Sequence, residues 1–285
     1  MCMKELCVYL YNTVAVLLKF IVSALSVLLF SSFRANNAMA EIRRKITRHE
    51  CIVFGNGPSL GKLINYYSDL IHDSDVIALN YFCNTHFFRV VKPQYYILLD
   101  PQLFAKPYIP DVQMLIENIS SIDWDMILFL PTKNRRSGIE NEIKNKRVRI
   151  CYYNSTPVEV CASIDKFFFK FNLGMPWPET VIVAAIFQMI NLHYDVIHLF
   201  GVEQSWLKMI RVDDNNHLTI GLEHFYGVTD EDKSKKYLHV FLESQARAFK
   251  SNVRLSEYAE SIGVKVINHT PNSYLDAYKK QIPEL

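Results

Sequence analysis

Short apolar runs alternate with amphipathic stretches through most of this chain, from residue 51 onward. Strands are predicted at 51–54, 76–79, 95–99, 126–130, 147–152, 196–200 and 264–267. Helices are predicted at 59–70, 111–119, 139–145, 158–171, 179–193 and 236–262. Continuous apolar strands between amphipathic helices are typical of a mostly parallel sheet that helices cover on both faces. The pattern therefore predicts an α/β fold with a doubly wound, Rossmann-like sheet.

The first fifty residues follow a different pattern. Residues 7–33 contain one charge, Lys19, and at about 1.5 Å per residue a helix of this length crosses a bilayer core. Lys19 leaves 14 uncharged residues at 20–33, so a shallow or re-entrant interfacial helix is the alternative to a full span. Basic residues cluster after the run at 34–48, against Lys4 before it, which predicts the cytoplasmic face of an inner membrane. We therefore assign 1–48 to a membrane anchor and basic linker, and 49–285 to the α/β domain.

A secretory signal is the competing interpretation of this segment, because Ala38-Met39-Ala40 resembles a small-x-small cleavage site. The segment before the apolar run is nearly uncharged, the run is long, and Arg34 separates it from the cleavage-like site. These features favour a retained anchor.

Composition excludes several classes of protein. A chain of 285 residues, 50% of them hydrophobic, can bury one sizeable domain. The net charge of +2 gives no nucleic-acid footprint. The six cysteines contain no C-x-x-C pair and no Cys/His zinc spacing, so they predict no metal site and fit a reducing compartment.

The first predicted strand runs directly into a glycine-rich turn, Gly55-Asn56-Gly57-Pro58-Ser59, and then into a helix. Backbone N–H groups in such a turn, with a helix N-terminus, point at one spot and suit a phosphate. Gly55 and Gly57 tolerate positive φ, and Pro58 suits a first helical turn. The turn matches neither G-x-G-x-x-G nor a Walker loop, which argues against a dinucleotide oxidoreductase or a P-loop NTPase. A plain strand–turn–helix connection without a ligand is the alternative.

Polar residues follow four more of the predicted strands: Asn80-Tyr81, Asp100-Pro101, the segment 201–206, and 270–273. Because the C-terminal ends of parallel strands share one edge of a sheet, these residues predict a single ligand crevice. Thr180 opens the apolar helix at 179–193. It is predicted either to cap that helix or to hold a ligand's phosphate or ribose.

Residues 207–237 are polar and long for a connection within a compact domain, which predicts an active-site lid. His224 within it and His239 just after it are candidate general bases, because imidazole titrates near neutral pH. The Asp-Asp-Asn-Asn stretch at 213–216 is acidic enough for a divalent cation. Without EF-hand spacing, a solvated turn is favoured there.

These motifs are similar to those of bacterial sialyltransferases of glycosyltransferase family 42 and of the related MptE-like domains of polysaccharide loci. The shared features are the Gly-Asn-Gly-Pro-Ser-Leu turn at 55–60, Asn80 before an aromatic stretch, Asp100-Pro101 where the family carries Asn-Pro, and the Pro-Asn-Ser motif at 271–273. The segment 179–200 resembles the family's central helix and strand, although the chain continues with Gly-Val-Glu at 201–203 instead of Gly-Ile-Asp. The resemblance extends over most of 51–275.

The resemblance implies a GT-A-variant-like domain at 49–285 that binds a CMP-activated sugar without a metal or other cofactor. It implies nucleotide contacts from Asn56, Gly57, Ser59, Asn80, Thr180, Pro271, Asn272 and Ser273. Gly55, Pro58, Asp100 and Gly201 complete the predicted donor site. In the family a histidine acts as the base and tyrosines stabilise the departing phosphate. His224, with His239 as its substitute, and Tyr226 with Tyr237 are the candidates for these roles.

The resemblance predicts a membrane-associated glycosyltransferase that moves an acidic sugar, of the sialic acid or Kdo type, from a CMP-sugar to a surface-polysaccharide or lipooligosaccharide acceptor. Its expected partners are the CMP-sugar, a glycan or lipid-linked saccharide and inner-membrane lipid, with no nucleic acid. One alternative is an MptE-like pterin pyrophosphokinase, which needs Mg²⁺ and carboxylates such as Asp100, Asp213 and Asp214. The other is a non-catalytic polysaccharide-assembly protein with the same fold.

Overall fold

The computed structural model describes residues 3–105, 108–225, 227–232 and 237–284. For residues 3–4, 6–10, 222–224 and 227–232 it describes the backbone alone. The first part of the chain forms α1 (Met3–Phe30), α2 (Phe33–Arg43), β1 (Glu50–Phe54), α3 (Leu60–Tyr66), α4 (Ser68–Asp73), β2 (Asp75–Leu79), α5 (Phe87–Val91), β3 (Tyr95–Ile97), α6 (Pro101–Ala105), α7 (Pro110–Ser120), β4 (Met126–Pro131) and α8 (Ile139–Glu142). The second part forms β5 (Val148–Tyr153), α9 (Ala162–Lys170), α10 (Val181–Leu192), β6 (Val196–Phe200), β7 (Ile210–Val212), β8 (Leu218–His224), β9 (Gly227–Asp232), α11 (Leu238–Ser261), β10 (Lys265–Asn268) and β11 (Lys279–Lys280).

Eight strands form one sheet in the order β11-β10-β6-β1-β2-β3-β4-β5, and every neighbouring pair in it is parallel. The predicted α/β fold with a mostly parallel sheet is confirmed. The chain adds strands outward from β1 to β5 and then returns to place β6 on the other side of β1, with Ile52 opposite His198. β1 and β6 therefore flank the topological switch point of the sheet, the position where ligands bind in open α/β folds.

Helices cover both faces of the sheet, and each face has its own apolar core. On one face α3, α5 and α7 bury Leu63, Phe88 and Leu115. On the other face α10 is buried all along its length, from Ile182 to Leu192. It lies over the central strands and also contacts α2 and α11. A helix that is apolar on every side belongs in such an enclosed position.

Part of the segment predicted as a basic linker is a helix of the domain. In α2, residues Ala35, Met39 and Ile42 are buried at the spacing of one helical face, and the helix packs on β5 and α10. The Arg43 guanidinium also donates hydrogen bonds to the Asn191 carbonyl at the end of α10. The folded domain therefore includes α2, and a fragment cut at residue 49 would expose this part of the core.

One helix of the described residues is long and apolar enough to cross a membrane, by length and composition. It is the Tyr11–Phe30 part of α1, with a mean hydropathy of 2.4.

The predicted lid region also contains regular structure, because β7, β8 and β9 form a separate antiparallel sheet. The Phe225 N–H donates to the Asn56 carbonyl (3.1 Å), which joins this small sheet to the glycine-rich turn.

Candidate functional site

A cavity of about 730 Å³ opens at the switch point of the sheet. This volume lies within the usual range of small-molecule sites, about 300–1,000 Å³. Its lining comes from the C-terminal ends of β1, β2, β3, β4 and β6, from the start of α10, and from Met209 and Gly221 of the lid region. The expectation of one crevice shared by several strand ends therefore matches the geometry.

The glycine-rich turn lets β1 and β6 approach closely at the floor of this crevice. The Gly55 N–H donates to the Phe200 carbonyl (2.7 Å), and the Gly57 N–H donates to the Gly201 carbonyl (2.8 Å). A Cβ atom added at Gly55 would lie 2.2 Å from the Gly201 carbonyl oxygen. Both glycines are thus needed for close backbone approach, and they use their N–H groups within the fold.

The same turn binds the carboxylate of a glutamate of the protein itself. The Ser59 N–H donates to Oε1 of Glu203 (2.7 Å), and Glu203 is only 6% exposed. A Cβ atom at Gly57 would lie 1.6 Å from Oε2 of Glu203, so only glycine leaves room for this carboxylate. A buried carboxylate needs hydrogen-bond donors, and the turn provides one. The sequence predicted that these amides hold a ligand phosphate, whereas in the structure a glutamate carboxylate lies against them.

Seven of the twelve predicted donor-site residues line the cavity: Gly55, Asn56, Gly57, Asn80, Asp100, Thr180 and Gly201. Asn80 accepts the Leu99 N–H at Oδ1 (3.1 Å), which joins the ends of β2 and β3. Asp100 caps α6 through the Gln102 N–H (2.9 Å). The remaining five are not part of the lining: Pro58, Ser59, Pro271, Asn272 and Ser273.

The Pro-Asn-Ser motif supports the cavity from behind. The Ser273 hydroxyl donates to the Val202 carbonyl (2.7 Å), and the Tyr274 N–H donates to the Glu203 carbonyl (2.8 Å). Asn272 has a φ of 55° and forms an exposed turn. Asparagine tolerates this left-handed conformation better than most residues. The motif thus positions the 201–204 segment, which carries Glu203, and does not itself line the cavity.

The structure describes the four predicted catalytic residues to different extents. Tyr226 lies outside the described residues. For His224 the backbone alone is described, and it adjoins Phe225, whose N–H is bonded to the glycine-rich turn. Tyr237 and His239 are exposed at the start of α11, with their rings stacked at 5.9 Å, and they are not among the cavity-lining residues. Of the two candidate bases, His224 is the one whose neighbour in the chain bonds to a residue of the cavity lining, Asn56.

Several lining residues were not predicted as site residues. Lys133 follows β4, another strand end, and Gln204 donates to the Thr180 hydroxyl (3.5 Å). Glu179 forms an ion pair with Arg247, which leaves Asp100 and Glu203 as the other carboxylates of the described lining. A polar residue within three positions of a strand's end was the usable signal, and it applies to Lys133 and Glu203 alike.

The acidic stretch at 213–216 forms a turn. Oδ1 of Asp213 accepts the Asn215 and His217 N–H groups at 2.9 and 2.8 Å. These bonds, the one from His217 first, lower the pKa of the Asp213 carboxyl. Among the described residues no cluster of three or more His, Cys, Asp or Glu side chains has a metal-binding arrangement.

Comparison with known proteins adds no identification. The chain matches no protein-family model and no curated protein.

Proposed function

We infer that the chain is a membrane-associated glycosyltransferase of the GT-A-variant-like type, which transfers an acidic sugar from a CMP-sugar. The observation that carries this proposal is the cavity at the switch point between β1 and β6, lined from five strand ends. In doubly wound folds this position binds nucleotides. The sequence resemblance supports the choice of a cytidine nucleotide and an acidic sugar as the donor.

The chemistry requires a group that stabilises the departing phosphate and a base for the acceptor hydroxyl. CMP leaves with a single phosphate. Lys133 is the cationic side chain among the described lining residues, so we assign it to that phosphate. His224 is the proposed base, because the N–H of its neighbour Phe225 bonds to Asn56 of the cavity lining. The carboxylates of Asp100 and Glu203 are acceptors suited to sugar hydroxyl groups.

The acceptor in this proposal is a surface polysaccharide or a lipooligosaccharide at the cytoplasmic face of the inner membrane. The apolar face of α1 and the basic residues that follow it support membrane attachment. An enzyme attached in this way meets lipid-linked acceptors at high local concentration.

Calorimetric titration of the full chain in lipid nanodiscs with CMP, UDP, GDP and ATP tests the donor class. We expect CMP to bind and Lys133→Gln to weaken it about tenfold, since a contact worth about 1.5 kcal/mol corresponds to about that factor. Lys144→Gln, an exposed lysine outside the cavity, is the matched control and should bind like the wild type.

Tight binding of another nucleotide with none of CMP would overturn the donor assignment. Magnesium-dependent ATP binding would favour a pyrophosphokinase, and no binding of any nucleotide would favour an assembly protein. His224→Ala should abolish transfer while CMP still binds. Full activity in that variant would remove His224 from the mechanism.

A further inference from the structure

The second half of α1 is packed against the domain along a narrow stripe. Ser23 and Val27 are each 7% exposed. One turn further on, the Ser31 hydroxyl donates to the Leu173 carbonyl (2.6 Å). Residues four apart lie on one helical face, so positions 23, 27 and 31 form a continuous contact with the domain. The helix therefore does not leave the domain at its C-terminal end.

Asn154 joins the corner between α1 and α2 to the sheet. Its Nδ2 donates to the Ser32 and Asn172 carbonyls (2.9 and 2.7 Å), and its Oδ1 accepts the Ser32 N–H (2.8 Å). Asn154 is buried and directly follows β5, at the C-terminal edge of the sheet. This is the edge at which the cavity opens. The C-terminal end of α1 is thereby tied to the cavity side of the domain.

Lys19 is exposed and lies one helical turn before Ser23, on the same side of α1. It interrupts the apolar run, so that the uncharged residues before it are 6–18.

The contact with the domain from Ser23 onward and the charge of Lys19 leave too little free apolar helix for a full span. The uncharged residues 6–18 would extend about 20 Å at about 1.5 Å per residue, whereas a bilayer core is about 30 Å thick. An exposed apolar surface runs along α1 on the side away from the domain. At about 100° of rotation per residue, six exposed residues fall within an arc of about 120° on that side. These residues are Leu17, Leu18, Ile21, Leu25, Leu28 and Leu29.

Two exposed aromatic residues, one within α9 and one directly after it, lie near the C-terminal end of α1. Phe167 and Phe171 are 58% and 41% exposed, and their rings are 5.1 Å apart. The residues just after them contact the end of α1, because the Leu173 carbonyl accepts the Ser31 hydroxyl (2.6 Å). Exposed Lys170 adds positive charge beside the rings. Aromatic rings next to lysines are typical of segments in the interface of an anionic membrane.

We propose that α1 lies in the plane of an anionic membrane surface and inserts its outward apolar face into one leaflet, together with Phe167 and Phe171. The N-terminus then stays on the same side of the membrane as the domain. The cavity edge faces the lipid headgroups, where a lipid-linked acceptor reaches it. This inference rests on the membrane attachment in the proposed function, and not on the identity of the donor.

Tryptophan quenching by lipids brominated near the headgroups tests the orientation in the reconstituted full chain. The added fluorescence of Phe171→Trp should fall roughly twofold in brominated vesicles, as expected for a ring in the interface. Tyr66→Trp is the matched control. Tyr66 is also exposed but ends α3 at the opposite edge of the sheet, so its added signal should stay unchanged. Equal quenching of both, or quenching of Tyr66→Trp alone, would overturn the orientation.

Protease protection of an N-terminal tag tests the in-plane position. In sealed vesicles with the domain outside, the tag should be cleaved. Protection of the tag would show that α1 spans the bilayer and would overturn the proposal. CMP binding measured on the same vesicles separates the two ideas, because loss of nucleotide binding counts against the proposed function and leaves the quenching result intact.

Discussion

Gly55 offers a sharp test of how the crevice is built. A Cβ atom at this position would lie 2.2 Å from the Gly201 carbonyl oxygen and 2.9 Å from Cγ1 of Val202. The nearer clash is with backbone, so Gly55→Ala fits only if the ends of β1 and β6 move apart. That movement weakens the bond from Gly55 to Phe200 (2.7 Å). It also weakens the neighbouring bond from Gly57 (2.8 Å). At about 1 kcal/mol for each bond and about 1–3 kcal/mol for overpacking, the variant should lose about 3–5 kcal/mol.

Urea unfolding of the full chain in detergent micelles, followed by tryptophan fluorescence, measures this loss. Gly61→Ala is the matched control, because its added Cβ would lie 3.5 Å from the Phe87 ring, an ordinary contact, inside α3. Alanine is favoured over glycine in a helix by about 0.5–1 kcal/mol. The two substitutions should therefore shift the unfolding midpoint in opposite directions. A Gly55→Ala midpoint equal to that of the wild type would refute the argument that the two backbones meet here without space for a Cβ.

Two further predictions concern buried polar groups. Asn154→Ala removes the partners of the Ser32 backbone and of the Asn172 carbonyl. The substitution should lower the free energy of unfolding, measured in urea, by about 2–4 kcal/mol and should speed protease cleavage between α1 and α2. An unchanged cleavage rate would contradict the role of Asn154 in holding the corner between the two helices. Burial, and then the charge of neighbouring His198, lower the pKa of His269 to about 4 from its usual 6.5. Between these values the unfolded chain binds a proton that the folded chain does not, so stability should fall as the pH drops from 6.5 to 4. His269→Asn should flatten that slope in urea midpoints measured across this range, and an unchanged slope would assign it to other groups.

Seven strands of the large sheet were predictable because they are mostly apolar runs of four to six residues, whereas β7, β8, β9 and β11 were not predicted. The helix α2 was not predicted, since it lies largely within the segment 34–48, which contains four arginines and a lysine. The spacing of Ala35, Met39 and Ile42 was the signal for a buried helical face, but it contains only three residues. Short amphipathic patterns next to a strongly basic segment are read more easily as a solvated linker.

The cavity position was predictable from the strand ends, whereas the partners inside it were not. Glu203 reaches Ser59 only because β6 lies beside β1 in a particular register. The two residues are 144 positions apart in sequence, so no local hydrophobic pattern indicates that they are in contact. The supporting role of Ser273 depends in the same way on β10 lying beside β6. Long-range pairing of strands decides both contacts, and local patterns do not contain that information.

The carboxylate of Glu203 also limits where a donor phosphate can lie. The N–H groups of Gly55, Gly57 and Ser59 all donate to protein oxygens. A phosphate that took the Ser59 N–H would deprive the buried Glu203 carboxylate of a hydrogen bond worth about 1.5–3 kcal/mol. A phosphate near Lys133 at the end of β4 meets a cation and leaves that bond in place. We therefore expect the donor to extend along the strand ends from β1 toward β4. The glycine-rich turn then serves to hold β1, β6 and Glu203 together beneath it.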